Sequence, residues 1–179
     1  IDESMFAGCA TGSSHAIHNP ATPSTGNSNR ANPTIDVLVV YTTSAKNGQG
    51  GTNAMNSLIN LAFTETNNGS SNSQVNQRLN LAHSAEMTGY TETSFSSMLS
   101  QLKSKTDGKL DNAHSLRDQY GADVVTLIVS SGAYCGIAYL MSNPSSSFQS
   151  SAFNVVSRSC ATGYYSFGHE LGHNMGSTH

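Results

Sequence analysis

Two histidines four residues apart, His169 and His173, with Glu170 directly after the first and His179 six beyond the second, form the pattern His-Glu-x-x-His-x-x-Gly-x-x-His over residues 169–179. On a helix of about 3.6 residues per turn, positions four apart lie on one face, so both imidazoles reach a single metal ion. Glu170 is rotated about 100° from His169, badly placed as a ligand but able to reach a water on the metal, which is the position of a general base. The third imidazole must come from another direction to complete a three-nitrogen set with one coordination position open. The helix therefore has to stop after His173. Gly176 supplies the break, since without a Cβ it can take positive φ at a helix C-terminus and turn His179 back beneath the metal.

This donor set predicts zinc. A zinc ion among three neutral imidazoles brings the pKa of water towards about 7 and polarises a carbonyl, while Glu170 takes the proton and passes it to a leaving amine. The result is peptide-bond hydrolysis without a covalent intermediate. The shorter His-Glu-x-x-His also arises by chance, as two solvent-facing histidines on an amphipathic helix; Gly176 and His179 at their fixed intervals count against that reading. A structural zinc domain is a further alternative, but such sites seldom leave a position open.

The elements that must hold these side chains alternate between strand and helix. Residues 35–41 (IDVLVVY) are a β-branched run suited to a buried strand. Met55, Leu58, Ile59, Ala62 and Phe63 recur at helical spacing over 53–66, with Asn67-Asn68-Gly69 as the expected stop. Leu79, Leu81, His83 and Ala85 alternate as in a second strand; Phe95, Met98, Leu99 and Leu102 mark a second helix, and 111–120 a shorter third. The near-continuous apolar run 122–129 predicts a central strand paired in parallel with both faces covered. Residues 136–141, ended by Asn143-Pro144, predict a short strand, 152–158 the last strand, and about 162–174 the helix carrying the histidines. Ahead of all this, residues 1–33 are rich in Ser, Thr, Asn, Ala, Gly and Pro without apolar period, and form an arm or linker before one domain at 34–179.

Of the 179 residues, 11% are charged and the formal net charge is -3, so nothing recommends a nucleic acid as partner. The longest apolar runs are too short to cross a bilayer. A chain beginning at Ile1 without a charged n-region reads as a processed product, and the polar, Ser- and Gly-rich composition fits secretion. Cys135 and Cys160 flank the segment leading to the histidine helix; a disulfide closing that loop contributes roughly 3 kcal/mol on the loop-entropy model. The alternative, two reduced thiols, is what a cytosolic setting requires.

The motif over 169–179 resembles that of the metzincin clan of zinc endopeptidases, matched at every fixed position. The resemblance implies one catalytic zinc at His169, His173 and His179, with Glu170 as base. It also implies an α/β (α+β) fold, the metzincin N-terminal subdomain: a twisted, mixed, mostly parallel sheet with an antiparallel edge strand, packed with helices that include the zinc-binding one. The element order is similar to the reprolysin-like branch, and the stretches 35–41 and 167–179 resemble bacterial peptidyl-aspartate metalloendopeptidases. In that branch the short strand before the last receives a peptide substrate in extended form, which places substrate binding at Gly136, Ile137, Ala138 and Tyr139. An unpaired edge offers main-chain donors and acceptors that add a peptide as one more strand.

Some metzincins hold themselves inactive with a prosegment cysteine in the fourth zinc position. If 1–33 is a retained prosegment, Cys9 is a candidate inhibitory ligand; the alternatives are a thiol without that role or a disulfide to residues elsewhere. Metzincins continue past the third histidine into a smaller subdomain with a methionine-containing turn, and Met175, inside the motif, cannot be that turn. The expectation is a shortened chain, part of a longer molecule, or a partner polypeptide completing the domain. A zinc-binding but proteolytically silent fragment that holds peptides at its edge strand is the rival reading.

Other residues carry less. His15 and His18 lie in the arm without a scaffold for a second metal, and His83 and His114 read as ordinary surface or core residues. Reprolysin relatives often bind structural calcium, but Asp107, Asp111 and Asp118 are too loosely spaced for an EF-hand loop. Arg158 could select an acidic substrate side chain, or could simply be a surface arginine or a structural ion-pair partner.

Overall fold

The computed structural model describes residues 9–10, 33–130 and 132–179. His15, His18 and most of the 1–33 arm lie outside them.

Five strands make one sheet in the order β2 (Arg78–Met87), β1 (Thr34–Thr42), β3 (Val124–Val129), β5 (Phe153–Ser157), β4 (Gly136–Ala138). All pairings are parallel except β4 with β5, which is antiparallel. Alternation along β1 assigns its side chains to two cores. Val37, Val39 and Tyr41 face α2 (Thr52–Asn72) and α5 (Ser166–Asn174), packing with Ile59, Phe63, Phe167 and Leu171. Leu38 and Val40 face α3 (Phe95–Lys103) and α4 (Asn112–Tyr120), packing with Met98, Leu102 and Leu127. Every residue of β3 is buried, as a central parallel strand covered on both sides must be.

Several boundaries differ from the sequence expectation, each for a local reason. α1 (Thr43–Gln49) was not foreseen. It starts where Thr42 Oγ1 accepts from Ala45 N at 2.9 Å, a side-chain cap. α2 does not stop at Asn67-Asn68-Gly69 but runs to Asn72. Asn67 is not a breaker there, because its amide exchanges two bonds with the main chain of Leu79 (2.8 and 3.0 Å) and pins the helix to β2. β2 keeps its expected place, although its register slips between Val37 and Leu38 of β1, so simple alternation does not persist along it. β4 ends at Ala138 rather than residue 141, because Met141 N turns away to donate to His173 O at 3.0 Å. The histidine helix begins at Ser166, later than residue 162.

Cys135 and Cys160 are joined by a disulfide across a sequence separation of 25. It ties the residue before β4 to the loop between β5 and α5, and its loop-closure contribution is about 3 kcal/mol.

Candidate metal centre and edge strand

α5 presents His169 and His173 on successive turns, and their Nε2 atoms stand 3.1 Å apart. Phe167 and Leu171, on the same helix, are fully buried, and Phe167 lies 5.1 Å from Phe63 of α2 between ring centroids. That apolar face fixes the helix's rotation, so the imidazoles turn towards the sheet edge. The chain then leaves the helix as expected: Gly176 takes φ 97°, and Gly176 N and Ser177 N close on His173 O and Gly172 O. His179 is brought back until its Nε2 is 3.1 Å from that of His169. His173 donates from Nδ1 to Ser177 O at 2.8 Å, a tautomer that leaves the Nε2 lone pair for the centre.

Cys9 joins this group. Its Sγ is 3.5 Å from His173 Nε2, and the four ligand atoms of Cys9, His169, His173 and His179 all lie within 4.8 Å of one another. Two nitrogens bound tetrahedrally to zinc at about 2.05 Å stand about 3.3 Å apart, and a sulfur at about 2.3 Å stands about 3.6 Å from each nitrogen. The separations of 3.1, 3.1 and 3.5 Å, with the remaining pairs within 4.8 Å, and the donor chemistry, three imidazoles and one soft sulfur, therefore suit a zinc ion. Desolvation, followed by the neighbouring His173 and His179, lowers the His169 imidazole to about 4, so it is neutral at pH 7 as a ligand must be.

Glu170 is completely buried beside Gly136. A Cβ at position 136 would fall 2.4 Å from Glu170 Oε1, so glycine is what lets the edge strand pass over this carboxylate. Ser157 N donates to Cys135 O at 2.8 Å and Tyr139 N to Phe153 O at 3.3 Å. The alternation this sets turns the main chain of Ile137 inwards as well, and that of Gly136 and Ala138 outwards. Ala10 N donates to Gly136 O at 3.0 Å, and Cys9 pairs with Gly136 in the parallel sense. Partners across a ladder share a face, which is why the Cys9 side chain points at the histidines.

Two residues escaped the sequence reading. Asn174 donates from Nδ2 to Tyr139 O (2.8 Å) and Phe153 O (3.2 Å) and accepts from Asn154 Nδ2 (2.8 Å), binding the end of α5 to β4 and β5. Both asparagines are buried. The signal was present in Asn154, a polar residue within an otherwise apolar strand. Asn174→Ala leaves several buried polar groups unsatisfied and should lower unfolding stability by about 2–4 kcal/mol in denaturant titration; a loss below about 0.5 kcal/mol would show the clamp to be idle.

The remaining candidates take structural places. His114 is buried with Nε2 against Leu102 O at 3.0 Å, and His83 stacks on Tyr120. Asp107 and Asp111 accept from Lys109 N and Gly108 N within their own loop. The Arg158 guanidinium lies against Gly48 and donates to Gln49 Oε1 at 3.1 Å, at the end of α1. Among the described residues no helix is long and apolar enough to cross a membrane.

Residues 52–179 match metallo-peptidase family M12B, reprolysin-like. The chain is 43% identical over 147 residues to the peptidyl-Asp metalloendopeptidase of Stenotrophomonas maltophilia, covering 82% of this chain and 34% of that protein. It is 42% identical to the protein of the same name from Xanthomonas campestris, with the same coverage. The chain thus spans about a third of the length of these curated relatives. Among solved structures, one described as a chaperone-substrate complex superposes with a TM-score of 0.62 at 20% identity, over 82% of this chain and 24% of that one, a likeness of fold.

Proposed function

The chain belongs to the reprolysin-like M12B metallopeptidases, and from that premise we propose that it carries the zinc-binding half of a secreted endopeptidase held latent by its own arm. The observation that carries this reading is the convergence of three imidazole nitrogens beside a buried carboxylate, under the edge strand of the sheet.

His169, His173 and His179 would hold the ion, and zinc, when bound, would acidify water and polarise the scissile carbonyl. Glu170 would accept a proton from the attacking water and return it to the departing amine. Its side chain has no room to drift, because the Gly136 main chain lies directly against it. The outward main chain of Gly136 and Ala138 would pair with an extended peptide, with Ile137 between them and Tyr139 directly after the strand. The relatives' name suggests cleavage beside aspartate, which we extend to this protein. The disulfide fits an oxidising destination outside the cytosol.

Cys9 sits where a substrate and a water would have to be. Its sulfur lies beside the histidines and its backbone occupies the Gly136 rung, so the arm, 1–33, acts as an inhibitory segment ahead of a catalytic region at 34–179.

Stripping the full-length, arm-released protein with a strong chelator should abolish cleavage of aspartate-containing peptides, and stoichiometric zinc should restore it where magnesium does not. Undiminished cleavage by metal-free protein would overturn the assignment.

A further inference from the structure

Beyond the main-chain rungs, β4 has a second side. Gly136 and Ala138 face α5 and the centre, whereas Ile137 and Tyr139 face α3 and pack at the margin of the other core. Lys103, the last residue of α3, holds its ammonium 4.7 Å from the centre of the Tyr139 ring. Lys103 is exposed, and among the described residues no carboxylate lies within ion-pair distance of it. A cation is therefore held by a cation–π contact at the rim of the strand on which a peptide would lie, with no carboxylate of the described residues paired to it.

We propose that Lys103 and Tyr139 form a subsite for an acidic side chain of the bound peptide, about three residues from the cleaved bond. The inference rests on the peptidase reading above. A residue opposite Gly136 directs its side chain to the centre, as Cys9 does. The residue opposite Tyr139 is three positions away and, by the pleat, projects to the α3 side, where it meets the ammonium. An aspartate or glutamate there gains a charge-assisted contact, and a lysine there is repelled. The bland role of Lys103 is a cation in the last turn of a helix, which favours folding alone.

The test uses the full-length protein carrying Cys9→Ser, its arm then removed by proteolysis, and a peptide set in which each position flanking one cleavable bond is in turn Asp, Asn or Lys. The expected result is a single remote position, about three residues from the bond, where Asp exceeds Asn about fivefold in kcat/KM. Lys103→Gln should erase that ratio, Lys103→Arg retain it, and Lys103→Glu make Lys the favoured residue. Affinities of the same peptides for Cys9→Ser/Glu170→Gln protein should show the same ordering without cleavage. Ratios unchanged by Lys103→Glu in both assays overturn the subsite. Preserved, Lys103-dependent binding with no cleavage by the Cys9→Ser protein would instead overturn the peptidase reading and leave the subsite standing.

Discussion

Glu170→Gln protein should retain stoichiometric zinc and lose about 10²–10⁴-fold in peptide cleavage, the span that a positioned general base contributes. Glutamine has the volume and planarity of glutamate, so it fits the tight space beneath Gly136, where a Cβ would approach the carboxylate to 2.4 Å. What it lacks is a site that can accept a proton from water. The three imidazoles are untouched, so metal content by elemental analysis separates a chemical defect from a failed site. Burial sharpens the contrast, since Glu170 is wholly inaccessible and bulk buffer cannot easily stand in for it. Cleavage at the wild-type rate in that variant would remove Glu170 from the mechanism.

The second large effect should come from Cys9→Ser in arm-containing protein. The arm is anchored twice, through sulfur beside His173 and through the bond from Ala10 N to Gly136 O. Serine preserves the backbone pairing and removes the soft ligand. Losing about 3 kcal/mol of anchoring raises the open fraction on the order of a hundredfold, and activity with it. The comparison is made before and after proteolytic removal of the arm, when the variant and the wild type should converge. Equal activity of both before removal would show that sulfur does not restrain the enzyme.

The legible parts of this molecule are those written in short-range pattern. The spacing of His169, Glu170, His173 and His179 depends only on helix geometry and one glycine, and the buried strands announce themselves as apolar runs at 35–41 and 122–129. Cys9 could be suspected as a ligand, and the structure does bring it to the histidines. What was not legible depends on contacts between distant segments. Asn67 reads as a helix breaker until Leu79 claims both ends of its amide. Asn174 looks like an unconstrained position of the motif, although it bonds to residues 20, 21 and 35 positions away. Arg158 reads as a candidate for substrate selection or as a structural residue, and its bond to Gln49, 109 residues distant, is invisible locally. No local window contains these pairs, so no periodicity could have disclosed them.

The close passage of β4 over Glu170 makes the wall between the strand's outer edge and this carboxylate one polypeptide backbone thick. A strand of ordinary residues would need a side-chain layer there. Here a single added methyl group at 136 would have to push the carboxylate aside by roughly an ångström, a misplacement of the size that costs about a hundredfold in rate. On the proposed mechanism position 136 is thus a silent veto: it donates no ligand and moves no proton, yet its emptiness is what leaves Glu170 its place.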